Sequence, residues 1–345
     1  MPGLLGIECG ATHTVALHEH GGQVARAEFG PANLRLLGDS QLAGRLRQIA
    51  RQFPKPGAVA IGMAGARTDA DKKRLRRAAA HAWPGAVIHA TNDLETALAA
   101  DPRRKPANRV LVLSGTGSCC FGQTADGATA KLGGWGHILG DKGRGFEIGL
   151  RALKACVFYL DRDGTWSALG QRLLRRLQLN SPEQLIDWVA QAEKAEVAGL
   201  AKEVFAACAK RDKIASDILK GAAETLAKDA CACAEKLAGK TAPVRFLLSG
   251  SVLLKQPKFA ARVAKAIRSR RPGSQIAALK NESCTGALHL ASRLAKRPPA
   301  KPSATVEADR SAIPVPGLAQ LGQAPTEQRH PRSMQLDRMP LGQAV

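Results

Sequence analysis

Aromatic residues are scarce in this sequence: they make up 4% of its 345 residues, and only one of them is a tyrosine. No apolar run approaches the roughly 18 residues that a membrane-spanning helix needs. The N-terminus also lacks the basic segment and long apolar stretch of a signal peptide. These absences exclude a membrane protein and predict a cytoplasmic one. Eight cysteines without a secretion signal then indicate reduced thiols rather than a disulfide framework.

Basic residues, in contrast, are abundant: 51 Lys and Arg against 29 Asp and Glu give a net charge of +22. Such a charge favours anionic partners, among them nucleotides, sugar phosphates and nucleic acid. The basic residues are scattered through helix-like stretches, and no zinc-finger spacing or alternating aromatic and basic pattern is present. We therefore predict no nucleic-acid partner. A basic nucleic-acid-associated protein remains the alternative, and it would require binding that survives physiological salt.

Two segments of the chain resemble each other, and each reads as a strand, a glycine-containing turn and a second strand. Hydrophobic residues are 45% of the chain, and the length suits two domains at roughly 150 residues each. The repeated hairpins, with strands and helices alternating around them, predict duplicated α/β domains that bind ligands at strand ends. The hairpins are predicted at 4–24 and 110–130, other strands at 58–65, 86–93 and 245–252, and helices at 40–53 and 215–238.

The turns of the two hairpins combine Gly, Thr and Ser, and such turns can direct backbone amides at an anion. An ordinary hairpin is the alternative reading of either turn by itself. Neither turn is a P-loop, because no Gly-Lys-Ser/Thr follows. The duplication favours a nucleotide cleft between two domains, with candidate contacts at Gly10, Ala11 and Thr12 in the first turn and at Gly115, Thr116, Gly117 and Ser118 in the second.

Two carboxylates lie at strand ends. Glu8 ends the first strand beside the first turn, where it can hold Mg²⁺ through water or be a solvated charge. Asp93 closes a strand and opens a helix, so it can accept a proton from a sugar hydroxyl or cap that helix. The glycine-rich segment 132–153 also carries Trp135, which offers a stacking face for a sugar, and Asp141, which can bind two hydroxyls.

Taken in order, several motifs resemble those of N-acetylglucosamine kinases, which belong with the BadF-type ATPase domains in the actin, heat-shock-protein and sugar-kinase superfamily. The resemblance covers about residues 4–295 and implies an ATP-dependent amino-sugar kinase. It further implies two ribonuclease-H-like domains, 1–108 and 109–297, around an ATP cleft, and a homodimer. The motifs are GIECGATHT, GPANL, IGMAGA, ATND, LSGTGS, GGWGHILGDKGRGFEIG and LLSGSV.

The resemblance also implies residue roles. Asp93 is then the catalytic base on the 6-hydroxyl of the sugar, and Glu8 is the Mg²⁺ residue. Cys9 and Ala11 replace glycines of the family's first turn, where a Cβ is expected to crowd the phosphates, and Cys119 replaces an Asn that contacts the sugar. The implied sugar contacts are Asn33, Asn92, Trp135, Gly136 and Asp141, and the implied ATP contacts are Gly10, Thr12, Gly115, Thr116, Gly117, Gly250 and Ser251.

The C-terminal fifty residues have no aromatic residue and 8 of the 19 prolines, a composition typical of a disordered tail. We predict a linker at 298–325. Residues 326–345 resemble the opening of N-acetylmuramic acid 6-phosphate etherases, which implies the kinase half of a kinase–etherase fusion in amino-sugar and cell-wall recycling. The alternative is a catalytically weakened domain that senses a sugar or nucleotide and regulates the fused etherase.

Overall fold

The computed structural model describes residues 3–10, 12–103, 107–115, 117–140 and 142–296. In it, the N-terminal part of the chain forms a first mixed sheet. The sheet order is β3-β2-β1-β4-β5, with the first three strands antiparallel and the last two added in parallel. We call this part the N-lobe. Its elements are β1 Gly3–Cys9, β2 Thr14–His20, β3 Gln23–Phe29, α1 Asp39–Gln52, β4 Pro56–Met63, α2 Asp69–Ala82, β5 Val87–Thr91 and α3 Asp93–Ala99.

The second mixed sheet repeats this arrangement in the order β8-β7-β6-β9-β10, again with three antiparallel strands followed by two parallel ones. We call it, with the helices that cover it, the C-lobe. The elements from this point are β6 Asn108–Ser114, β7 Ser118–Gln123, β8 Thr129–Gly133, α4 Gly136–Leu139, α5 Gly145–Asp163, α6 Ala168–Leu177, α7 Leu185–Gln191, α8 Lys194–Gly199, α9 Ala201–Ala209, α10 Lys213–Ala238, β9 Val244–Ser249, α11 Ser251–Lys255, α12 Pro257–Arg270, β10 Gln275–Ala278 and α13 Ser283–Ala295.

The predicted duplication of two α/β domains is therefore confirmed, and each predicted hairpin opens one sheet. Helices predicted at 40–53 and 215–238 lie at α1 and α10, and Gly239 ends α10 with a positive φ of 72°. The strand predicted at 245–252, with a glycine turn at its end, corresponds to β9. It stops at Ser249, because Gly250 takes a φ of 90° and helix α11 follows at once.

Aliphatic side chains fill both cores, as the scarcity of aromatic residues requires. In the N-lobe, α1 buries Leu42, Leu46 and Ile49 against the sheet, and their spacing puts all three on one face of the helix. In the C-lobe the long helix α10 lies within the core, and its small side chains allow close packing. The spacing of apolar residues along these helices therefore explains which face of each helix is buried in the core.

Helix α13, the last described element, packs on the sheet of the N-lobe rather than that of the C-lobe. The crossing is close because glycines stand at the contact points. A Cβ on Gly6 would collide with the backbone of Leu288, and a Cβ on Gly286 would collide with the carbonyl oxygen of Thr96 in α3. The predicted boundary between 108 and 109 falls at the start of β6.

The described residues all fall within one compact unit, and the description ends at residue 296. The predicted linker and the etherase-like segment thus lie outside the described residues, as do Ala11, Thr116 and Asp141. Among the helices that the structure describes, none is long and apolar enough to cross a membrane.

Candidate active site

Asp93 is the first residue of α3, at the carboxyl end of β5, where ligands bind in open α/β sheets. The cap of this helix is the preceding residue: the Asn92 side chain accepts a hydrogen bond from the amide of Glu95 at 2.8 Å. The alternative reading of Asp93 as the N-cap is therefore wrong. Because Asn92 already caps the helix, the Asp93 carboxylate is available for other chemistry.

That carboxylate faces a cavity of about 190 Å³ between the lobes, which we call the interlobe cavity. This volume lies below the roughly 300 to 1,000 Å³ of pockets for drug-sized ligands, so the cavity suits a small one. The N-lobe contributes Gly65, Ala66, Arg67, Asn92, Asp93 and Leu94 to its lining, and the C-lobe contributes Leu113, Gly117, Ser118, Cys119, Lys131 and Gly134.

Burial raises the pKa of Asp93 above its ordinary value, and the cations of Lys131 and Arg67 partly oppose the shift. A carboxylate whose pKa is raised in this way can accept a proton from a bound hydroxyl, because its pKa is then closer to neutral pH. Desolvation, with the nearby charges of Asp93 and Glu282, raises the pKa of Glu8 to about 7. Glu8 is thus a half-buried carboxyl near two others, and a cation beside it favours its ionised form.

The predicted sugar contacts are only partly brought together. Asn92 lines the interlobe cavity, and Asn33 lies beside it, since a Cβ on the lining residue Gly65 would collide with the Asn33 side-chain oxygen. Trp135 is 72% exposed, and neither it nor Gly136 forms part of the lining. Asp141 lies outside the described residues.

The two hairpin turns use some of their amides internally. The amide of Gly10 donates to the carbonyl oxygen of His13 at 2.9 Å, and that of Gly115 donates to the carbonyl oxygen of Gly117 at 2.9 Å. These two amides are therefore used within their turns, and the roles of Gly10 and Gly115 as ATP contacts stay predictions. The amides of Thr12 and Gly117 have no hydrogen-bond partner in the described part of the chain, so each turn keeps at least one donor.

A second cavity of about 230 Å³ lies within the C-lobe, and we call it the C-lobe cavity. The predicted ATP contacts Gly115 and Ser251 line it, whereas Gly117 lines the interlobe cavity, so the β6–β7 turn reaches both. Gly250 permits this geometry, because a Cβ there would collide with the backbone of Ser114. The C-lobe cavity is completed by Gly145, Ala198, Gly199, Ala201, Lys202, Phe205, Val252, Lys255 and Gln256.

Of the residues that replace expected ones, Cys9 does not crowd the first turn. Its side chain is 1% exposed and packs in the N-lobe core, so the expected clash with phosphates is wrong for this residue. Burial raises the pKa of its thiol to about 12, which leaves it unreactive. Cys119, in contrast, lines the interlobe cavity, as expected of a position that touches the ligand.

Sequence reasoning missed Arg67 and Lys131, the two cations of the interlobe cavity. Arg67 directly follows the IGMAGA motif, and this position next to a motif could have indicated that it lies at the site. Lys131 gave none, because nothing in the short strand Thr129–Gly133 distinguishes it from the many other lysines of the chain. The lysines and Phe205 of the C-lobe cavity were missed as well, since helices far apart in the sequence bring them together.

The residues present fit a nucleotide and a metal ion. Gly115 lines the C-lobe cavity without a side chain, and Lys202 and Lys255 supply positive charge for phosphates. Glu8 supplies one oxygen ligand of the kind that Mg²⁺ prefers. In the described ranges no group of three or more acidic, His or Cys side chains gathers around one point, so such an ion would be held largely through water and phosphate.

Solved structures show the class of fold. Over 84% of this chain and 99% of the other, the protein matches a Chromobacterium violaceum crystal structure with a TM-score of 0.62 and 24% identity. The protein also matches a ROK family glucokinase from Streptomyces griseus, solved with glucose and AMPPNP. The match covers 84% of this chain and 99% of the glucokinase, with a TM-score of 0.53 and 15% identity. The architecture is that of ATP-dependent sugar kinases.

The particular family follows from the sequence comparisons. Residues 5–291 match the model of the BadF/BadG/BcrA/BcrD ATPase family, and the chain belongs to that family. The protein is 32% identical to the N-acetylmuramic acid/N-acetylglucosamine kinase of Clostridium acetobutylicum over 248 residues, which are 71% of this chain and 80% of that protein. The predictions of the family and of an ATP-dependent enzyme with a sugar-kinase fold are confirmed.

Proposed function

We propose that the protein phosphorylates an amino sugar with ATP, and that N-acetylglucosamine is accepted at its 6-hydroxyl. The observation that carries this proposal is Asp93. It stands at a strand end, faces the interlobe cavity, and is released from helix capping by Asn92. The similarity to a kinase whose name gives two amino sugars supports the choice of sugar class.

In this reaction Asp93 accepts the proton of the attacking hydroxyl as that oxygen bonds to the terminal phosphorus of ATP, and ADP leaves. Asn92 and Asn33 orient the sugar from the N-lobe side of the interlobe cavity. The β6–β7 turn reaches both cavities, so it suits a polyphosphate that runs from a nucleoside in the C-lobe cavity toward the sugar. Mg²⁺ at Glu8, when bound, supplies positive charge that neutralises the phosphate oxygens.

The test is a coupled ADP-release assay with N-acetylglucosamine, N-acetylmuramic acid and glucose, run on the wild type and on Asp93→Asn. We expect release that depends on an amino sugar and falls about 100- to 10,000-fold in the variant. Phosphorus and carbon NMR of the product then identifies the phosphorylated hydroxyl. A folded wild type that binds an amino sugar and releases no ADP with any of them would favour the regulatory alternative instead.

Three finer predictions belong to the same proposal: a place in amino-sugar and cell-wall recycling, a homodimer, and a covalent etherase segment at 326–345. The recycling role predicts that the product is an amino-sugar phosphate of the kind an etherase or a deacetylase would consume. Light scattering of the purified chain measures its oligomeric state.

A further inference from the structure

The interlobe cavity contains more positive than negative charge. Its lining has one acidic side chain, Asp93, and two cationic ones, Arg67 and Lys131. Within the described residues neither cation forms an ion pair or a side-chain hydrogen bond. Both cations are exposed to solvent at the cavity, and one carboxylate cannot neutralise both, so the lining has an excess of positive charge even when Asp93 is ionised. A neutral sugar would leave that charge unused.

Both cations line the cavity in which the sugar is proposed to bind, one from each lobe. Arg67 follows the loop at Gly65, beside Asn33, and its backbone is fixed because its amide donates to the Asp71 carboxylate at 3.0 Å. Lys131 lies in β8 of the C-lobe, with its ammonium beside Gly134. The residues of the C-lobe cavity that are proposed to hold the nucleoside form a separate lining.

From this placement, and resting on the kinase function proposed above, we infer that Arg67 and Lys131 are specificity-determining residues that bind a carboxylate on the amino sugar. A guanidinium fork and an ammonium on opposite lobes can contact a carboxylate from two sides. N-acetylmuramic acid has this chemistry, because it is N-acetylglucosamine with a lactic acid joined through an ether oxygen. The cavity is thus expected to prefer the acidic sugar over the neutral one.

Two other roles for the cations predict different results. If they contact the terminal phosphate of ATP, their loss raises the KM for ATP and lowers turnover with every sugar. If they serve only to keep Asp93 ionised, their loss moves the acid limb of the pH profile to higher pH, again equally for every sugar. The proposed role alone predicts an effect that depends on the carboxylate of the sugar.

The experiment measures kcat/KM for N-acetylmuramic acid, its methyl ester and N-acetylglucosamine in the wild type, Arg67→Gln and Lys131→Gln. Arg76→Gln, an exposed position on α2 outside the cavity, is the matched control. For Arg67→Gln we expect the ratio of kcat/KM for the acid to that for N-acetylglucosamine to fall about 10- to 100-fold, the range for a hydrogen bond to a charged group. The methyl ester is expected to be insensitive to both cavity substitutions.

The proposal is overturned if the ratio is unchanged, if the ester and the acid respond alike, or if the wild type phosphorylates N-acetylglucosamine and rejects the acid. If the wild type turns over no sugar, the kinase function fails, and calorimetric titration with N-acetylmuramic acid and its ester decides the carboxylate site independently. Binding of the acid that weakens in Arg67→Gln, with no change for the ester, supports the site. Equal binding of acid and ester overturns it.

Discussion

The two lobes share one sheet topology, and in each a strand is followed by an Asn–acid pair and a helix. Helix α3 packs its apolar side chains against strands of the C-lobe, whereas α13 packs on the sheet of the N-lobe. In the N-lobe the pair is Asn92 and Asp93 before α3, and in the C-lobe it is Asn281 and Glu282 before α13. Asn92 caps its helix and leaves Asp93 facing the interlobe cavity. Asn281 instead donates its side-chain amide to the carbonyl oxygen of Ala100 at 2.9 Å.

Glu282 has a different environment from Asp93. Its side chain is 64% exposed and lies 3.6 Å from the guanidinium of Arg26. Asp93 is desolvated, which raises its pKa, whereas Glu282 is in contact with solvent and a cation. The comparison teaches that the duplicated fold supplies two similar carboxylates, and that burial in the interlobe cavity selects one of them for chemistry.

The largest expected effect separates these two carboxylates. Asp93→Asn is expected to lower kcat about 100- to 10,000-fold, because it removes the proton acceptor. Glu282→Gln is expected to change kcat less than about threefold, because an exposed ion pair contributes little. Steady-state ADP release by the two variants measures both values. A large loss in Glu282→Gln, or near-normal turnover in Asp93→Asn, would reverse the assignment.

The next effect concerns the helices themselves. Counted from the Asn–acid pair, Ala97 of α3 corresponds to Gly286 of α13, and only the glycine allows the close crossing over Thr96. Gly286→Ala makes the two helices alike and is expected to lower the free energy of unfolding by about 3 kcal/mol through overpacking. Gly44→Ala in α1 is the control: nothing lies within 4 Å of its Cβ position.

That control is expected to stabilise the protein by about 0.5 to 1 kcal/mol, because alanine favours a helix interior more than glycine. Urea denaturation of both variants gives the two free energies. Equal stability of the two variants would show that the α3–α13 crossing tolerates a side chain at 286.

The sequence was sufficient for the repeated hairpins, the position of Asp93 at a strand end, and the long helix α10, because each depends on local pattern. It was insufficient for the return of α13 to the N-lobe and for the convergence of Arg67 and Lys131 on one cavity. Those depend on contacts between distant residues, which no local periodicity encodes. Cys9 shows the same limit: its neighbours in the chain suggested a ligand site, and only the register of β1 directs its side chain into the core.

A smaller effect tests the residue that stabilises the turn beside Asp93. Glu95 of α3 accepts a hydrogen bond from Thr91 and lies 3.4 Å from His89, and these contacts lower its pKa from 4.5 to about 2. A carboxyl with a depressed pKa stabilises the folded state above its unfolded pKa. The stabilisation is therefore complete above pH 4.5 and disappears as the pH falls toward 2.

Glu95→Gln is expected to cost up to about 3 kcal/mol of unfolding free energy at pH 7, from the size of the pKa shift. The cost should shrink in measurements at progressively lower pH. Urea denaturation at pH 7 and in acid measures the cost, with Glu224→Gln at a half-buried position of α10 as control. A cost that is the same at both pH values would mean that Glu95 acts through packing rather than through its charge.

The smallest effect compares the last residues of the two leading strands. Cys9 of β1 and Ser114 of β6 each precede the turn glycine and are almost fully buried, the first among apolar side chains and the second with its hydroxyl donating to the Gly143 carbonyl oxygen at 2.8 Å. Cys9→Gly restores the family's glycine. Because the thiol fills core space, we expect a loss of about 1 to 2 kcal/mol of stability and no decrease in the KM for ATP.

Thermal unfolding and ATP kinetics measure the two quantities. Ser114→Ala, which removes one hydrogen bond worth about 1 kcal/mol, is the matched change in the other lobe. A lower KM for ATP in Cys9→Gly would mean that the thiol does crowd the phosphates, and that the two strand ends differ in function as well as in packing.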